Sequence, residues 1–209
     1  KCVEPLNFEP ACTNPNLDQE ESDALVEVNA EELIDEPGYS HNIDNNVEKM
    51  SAEITPFFTK KYVFSNHYGC HFEIDNISYF CVEQFYMRFK ALVFGDFKSV
   101  EMIMEAKDAG AIKRIGSKIK DFNHHIWRKL CIIVMVIGNL AKYRQNGNLR
   151  KLLFETGDSL LVEASPFDTY WGVGVGLGGV YNRRNWRGLN VLGRILTRIR
   201  DNLKSQSKI

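Results

Sequence analysis

A carboxylate and an amine sit two helical turns apart in the segment EQFYMRFKALVF (83–94), which has strong helix formers and no breaker. Glu83, Met87 and Lys90 fall at i, i+4 and i+7, so the two charged groups share one face, about 10 Å apart along the axis. An acid and a base so placed can grip a sugar phosphate from its two ends. On spacing alone, however, an arbitrary Glu and Lys more often mark a solvated helix face. A second constellation follows in DTYWGVGVGLGG (168–179) and VYNRRNWRGLNVLG (180–193). Asp168, Trp171, Arg183, Arg184, Trp186, Arg187 and Asn190 lie within 23 residues there. Indoles stack on bases, guanidinium groups pair with phosphates, and a carboxylate can orient ribose hydroxyls. The interspersed glycines allow backbone to come close to a ligand, although an ordinary surface loop is the default for such a stretch.

Other chemistries find little support. No GK[ST] follows the glycines, so they do not form a Walker loop. Cys2, Cys12, Cys70, Cys81 and Cys131 are an odd number with no zinc-ligand spacing, which suits reduced thiols in an intracellular protein, cytoplasmic or nuclear. His124 and His125 are neighbours on a helix and point in different directions, a poor metal geometry. Neither a metal nor a cofactor is therefore expected, and no Ser-His-Asp signature is present. Cys131 belongs to the apolar run LCIIVMVIG (130–138), far shorter than the roughly 20 residues a bilayer span requires, so no membrane association is expected.

The elements that must carry these residues can be read from periodicity. YVFSN (62–66), HFEID (71–75) and ISYFCV (77–82) read as short strands, with Asp75-Asn76 as a tight turn between the last two. Helices are expected over 82–93, from Asp96 as cap through about 107, over 109–119, over 124–145 and over 148–154. In the longest, Ile126, Leu130, Ile133, Val134, Ile137 and Leu140–Ala141 recur at helical spacing, marking a buried central helix. A strand at SLLVEAS (159–165), the glycine loop and a final helix over 189–203 complete the order. The fold class is α+β: a helix-rich single domain with a small β-sheet.

Charge divides the chain. Of its 209 residues, 1–50 carry a net charge of −11 and 51–209 a net +10. The first segment has prolines, acidic runs and few apolar residues, so residues 1–55 are expected to be a disordered acidic arm. The domain is expected over 56–203, with a short tail at 204–209. A basic body attracts phosphates within a Debye length of roughly 8–10 Å. The chain opens on Lys1, so further upstream sequence is expected; no targeting signal is visible in these residues.

Together these segments resemble the NADAR superfamily, which includes the YbiA-like N-glycosidases. FSNHY (64–68), YFCVEQFYMRFKA (79–91), FNHHIWRKLCIIVM (122–135), AKYRQNGNLRKLLFETGDSLLVEASPFDTYWGVG (141–174) and GLNVLGRILTRIR (188–200) resemble five family motifs in their proper order over about 145 residues. Gln84 stands where many members carry His, and the loop 173–187 is longer than in compact bacterial members.

The resemblance implies a YbiA-like fold and chemistry at C1′ of a ribosyl phosphate. It makes Glu83 the main catalytic carboxylate, Asp168 the group that holds ribose hydroxyls, and Trp127 and Trp171 stacking walls. Trp127 on sequence grounds alone reads as core. Lys90, helped by Arg184 or Arg187, would neutralise phosphate; alternatively Lys90 would attack the opened sugar as an imine-forming nucleophile. Ser65, Asn66, Gly172 and Asn190 join the implied substrate-binding set. The leading expectation is release of ADP-ribose from N-linked ADP-ribosylated guanine, in nucleotides or nucleic acid. The alternatives are hydrolysis of phosphorylated riboflavin-pathway intermediates and a non-catalytic reader of ADP-ribose or nucleic acid.

Overall fold

The computed structural model describes residues 53–207. Most of the acidic arm therefore lies outside the described residues. Strand β1 (Ile54–Phe57) begins the fold, followed by β2 (Phe72–Ile74) and β3 (Ile77–Tyr79). Helices α1 (Val82–Val93), α2 (Phe97–Glu105), α3 (Ala109–Gly116), α4 (His124–Gln145) and α5 (Gly147–Glu155) come next. Strand β4 (Leu160–Glu163), a 3-10 turn (Arg183–Asn185) and α6 (Val191–Gln206) close the chain. Helix α6 thus continues through what was expected to be a tail from residue 204. The architecture is α+β, as expected.

Local chemistry explains the boundaries. Asp75 and Asn76 both take left-handed backbone, φ 53° and 59°, which short polar side chains tolerate and which turns β2 back on β3. Asp96 caps α2 by accepting the Ser99 amide at 3.1 Å, and Asp108 caps α3 through the Ala111 amide at 3.0 Å. Gln84, the departure from the family's His, does structural work. Its Oε1 accepts the Phe80 amide at 3.0 Å and its Nε2 donates to the Ile103 carbonyl at 3.1 Å, fastening the start of α1 to α2.

The small sheet expected from sequence is two separate pairs. β2 and β3 form an antiparallel hairpin, with Phe72 stacked on Tyr79 at 5.7 Å. β1 and β4 pair in parallel, Ile54 opposite Leu160 and Phe57 opposite Glu163. Sequence reading missed β1, because ITPF is short and contains proline. Conversely, YVFSN (62–66) forms no strand but a run of turns, in which the Ser65 amide donates to the Tyr62 carbonyl and the Tyr68 amide to the Ser65 carbonyl. No neighbouring strand supplies this segment with a ladder. Its carbonyls bond instead to a buried amine: Lys142 Nζ donates to Val63 O at 2.6 Å and Ser65 O at 3.1 Å.

Helix α4 packs on α1, α5, α6 and β2, which makes it the central element. Its buried face runs through Trp127, Cys131, Val134, Met135, Gly138, Asn139 and Lys142, whereas Ile126 and Ile137 are exposed. Hydrophobic spacing selected a neighbouring stripe because the true inner face includes Asn and Lys. Helix α6 buries Leu192, Leu196, Ile199 and Leu203, while Leu189 precedes the helix and stays exposed. Gly193 lets α6 seat on β4, since a Cβ there would collide with the Leu161 carbonyl.

Lys142 is fully buried, and desolvation pulls its amine down to about 8. Its substitution by Met would leave two carbonyls without their donor at a cost of roughly 1–3 kcal/mol each. Lys142→Met should therefore lower the unfolding free energy by about 2–6 kcal/mol in urea titration.

Candidate active site

Helix α1, the turn segment 64–67 and the end of β4 meet around a cavity of about 360 Å³. Seven of the residues anticipated from sequence line it: Ser65, Asn66, Glu83, Lys90, Trp127, Asp168 and Trp171. Glu83 stands in the first turn of α1, where helix amides favour a negative charge. Its amide is tied to the Asn66 carbonyl at 3.1 Å, so the turn segment fixes where the carboxylate begins. The residue is only 6% exposed, yet Oε1 has no hydrogen-bond partner among the described residues. Oε2 lies 3.5 Å from His67 Nε2. A buried carboxylate oxygen with no partner is costly unless a ligand or water completes it, and this one borders the cavity.

Lys90 is half-buried two turns along. Its Nζ donates to Gly116 O at 2.9 Å and lies 4.1 Å from the centre of the Phe122 ring. Burial lowers its affinity for a proton, while the negative charge of Glu83 acts in the opposite sense. The Met87 side chain fills the space beside Gly116, so a Cβ there would require Met87 to move.

The aromatic wall is interlocked. Trp127 Nε1 donates to Tyr86 OH at 3.0 Å, and the Tyr86 ring meets Trp127 and Trp171 edge-on at 5.1 and 5.8 Å. Trp127 is therefore both core and cavity wall, so the two readings of it describe one residue. Ser65 and Asn66 also serve the framework. Ser65 Oγ accepts the His67 amide at 3.1 Å, and Asn66 Oδ1 accepts Asn139 Nδ2 at 3.2 Å. Asp168 Oδ1 accepts the amides of Tyr170 at 2.9 Å and Trp171 at 2.7 Å, closing the turn that presents Trp171. The residue also lines the cavity.

The other four anticipated residues are not brought to this cavity. Gly172 is buried packing: a Cβ would meet the Glu163 carbonyl at 2.8 Å and the Asp168 carbonyl at 3.0 Å. Asn190 is buried at the start of α6, its Oδ1 accepting the Glu163 amide at 3.0 Å and its Nδ2 donating to Leu161 O at 2.9 Å. Arg184 is exposed in the 3-10 turn. Arg187 is held by Gly174 O through Nε at 3.2 Å and Nη2 at 2.6 Å, and lines a neighbouring cavity behind the aromatic wall. The glycine loop has its own small core of Val162, Ala164, Val173 and Val180, packed under Trp186. Of the loop's arginines, only the Arg184 side chain is left without a bond to this framework among the described residues, while Arg183 lies over the Trp186 ring at 5.6 Å.

Sequence reasoning assigned no role to two charged residues of the cavity, Lys113 and Glu163. Glu163 is the last residue of β4 and sits within LVEA, a stretch already matched to a family motif. Burial, with repulsion from Asp168 and Glu83, pushes its carboxyl up to about 8 against the opposing pull of Lys113.

The family comparison agrees with this architecture. The NADAR domain model matches residues 55–204. The N-glycosidase R617 of Acanthamoeba polyphaga mimivirus is 40% identical over 125 residues, covering 59% of this chain and 74% of the viral protein. The riboflavin biosynthesis protein VVA0006 of Vibrio vulnificus is 30% identical over 143 residues, or 68% of this chain and 36% of that one. The solution NMR structure of YbiA from E. coli superposes with a TM-score of 0.63 at 26% identity, covering 76% of this chain and 89% of YbiA. The chain belongs to the NADAR family.

The raised Glu163 carboxyl has a consequence for stability. Folding takes up a proton at this site between the ordinary carboxyl range and about 8, so its contribution is present at acid pH and is lost as pH rises toward 8. Glu163→Gln removes that loss. Melting curves from pH 5 to 9 should show the variant gaining several degrees on the parent at the alkaline end, with no gain at pH 5.

Proposed function

We propose that this chain is an N-glycosidase that hydrolyses the bond between C1″ of ADP-ribose and a guanine nitrogen. The observation that carries the reading is the unpartnered Oε1 of buried Glu83, set in a cavity between a tryptophan-lined wall and the amines of Lys90 and Lys113. Loss of the base generates an oxocarbenium-like centre at C1″. Glu83 stabilises that charge and accepts the proton of the attacking water. Asp168 orients ribose hydroxyls, while Trp127 and Trp171 flank the sugar or base. Lys90 and Lys113 take the phosphate role that sequence reasoning shared with Arg184 and Arg187. The net +10 of residues 51–209 favours a polyanionic carrier of the modified base.

The named Vibrio relative favours a second reading, hydrolysis of phosphorylated riboflavin-pathway intermediates. Both readings place the same chemistry at Glu83. Incubation with ADP-ribosylated guanine, as nucleotide and in DNA or RNA, beside the riboflavin intermediates separates them by which substrate turns over. Turnover of neither would leave a non-catalytic reader. Glu83→Gln should lower kcat by roughly 10²–10⁴-fold with little change in binding.

Lys90 serves here as a cation. Borohydride added during turnover should leave no protein adduct; a trapped adduct on Lys90 would replace the water-activation route with an imine.

A further inference from the structure

Glu83 and Glu163 reach the same cavity from different elements, α1 and β4, into unlike electrostatic surroundings. Glu83 has His67 Nε2 at 3.5 Å and the amine of Lys90 on its own helix face. Glu163 faces the carboxylates of Asp168 and Glu83, with Lys113 as its single cationic neighbour among the charged groups that act on it. Its side chain is only partly buried and lines the cavity. Its backbone is held from two sides, the amide by Asn190 Oδ1 at 3.0 Å and the carbonyl by the Val173 amide at 3.0 Å. The result is a carboxyl with an anchored backbone that opens on the cavity beside two other acids.

Resting on the N-glycosidase reading, we propose that Glu163 is the general acid of the reaction, delivering a proton to the departing base nitrogen. When the C1″–N bond breaks, its electron pair goes to nitrogen, which takes the Glu163 proton. The water oxygen then bonds to C1″ and gives a proton to Glu83. Exchange with solvent returns Glu83 to carboxylate and Glu163 to acid, so the cycle closes without another reactant. Two carboxyl groups in unlike surroundings divide acid and base duties in this way. The elevated proton affinity of Glu163 keeps it protonated at neutral pH, as the role requires.

Leaving groups distinguish this role from a structural one. ADP-ribosyl-guanosine needs protonation to release its base, whereas 4-nitrophenyl ribofuranoside 5-phosphate expels a stable phenolate without it. Glu163→Gln should reduce kcat/KM on the first by roughly 10²–10³-fold and on the second by less than about fivefold. The parent should also lose activity on the first substrate above about pH 8, a limb missing from the second. Equal losses on both substrates, or no loss on the first, would overturn the assignment while leaving the N-glycosidase reading intact. A parent protein inert toward every ribosyl phosphate would remove both. Carboxyl ¹³C NMR of the glutamate-labelled chain supplies a readout free of turnover. One resonance should titrate near pH 8 and vanish in Glu163→Gln; a spectrum with every glutamate ionised at pH 7 would sink the proposal.

Discussion

A buried ammonium holds the first wall of the site. Residues 62–68 have aromatic and β-branched composition but no strand beside them, so their carbonyls need another donor. Lys142 supplies it from inside the core, with its Nζ also within 5.8 Å of the Tyr68 ring centre and 5.1 Å of that of Tyr143. The consequence reaches the chemistry in two steps. The fixed turn places the Asn66 carbonyl, and that carbonyl receives the amide of Glu83. Asn66 is braced in turn by Asn139, one helical turn before Lys142 on α4. The central helix therefore positions the carboxylate through polar contacts as much as through apolar packing, and those contacts are strong because they are dry.

The second wall depends on close approach. Helix α6 lies on β4 because Gly193 has no side chain to meet the Leu161 carbonyl, and Gly172 makes similar room beside Glu163. Asn190, in left-handed backbone at φ 53°, ties the two by bonding to both Leu161 and Glu163. This clamp sets the end of β4, so Glu163 enters the cavity with little freedom. Asp168 performs the corresponding task for Trp171 through a local turn. Electrostatics follows from the same geometry: three carboxyl groups share one partly dry space, and burial, joined by repulsion from Asp168 and Glu83, raises the proton affinity of Glu163.

Much of this was legible in the residues. The bounds of α1 and α4 follow from helix formers, from Gly95 after α1 and from the capping Asn123 before α4. The hairpin follows from Asp75-Asn76. Glu83 and Lys90 share a cavity because a helix fixes their spacing, which needs no tertiary knowledge. What failed depends on partners distant in sequence. YVFSN has strand composition, but a strand exists only where another strand is adjacent, and here a lysine 77 residues beyond Ser65 stands in its place. β1 was missed for the complementary reason, since its four residues are ordered by β4 more than by their own propensity. The inner face of α4 was misplaced because Asn139 and Lys142 count as polar in any hydrophobic pattern.

Arg184 and Arg187 show where composition misleads about function. Arginine beside tryptophan and glycine suggests a phosphate cradle, but the loop packs Val173 and Val180 inward, leaves Arg184 exposed and ties Arg187 to Gly174 O. The glycines and Asn190 are required by packing, so recurrence of GLNVLG and WGVG in the family motifs follows from steric need whether or not a ligand is touched. One mark of a different kind is a buried polar atom at the cavity wall with no partner among the described residues: Oε1 of Glu83 carries it, while Asn190 and the Nε–Nη2 edge of Arg187 do not. Polar atoms already paired within the fold, as in Asn190, answer first to packing, whereas an unpaired one at a cavity wall, as in Glu83, has a bonding site left for a ligand.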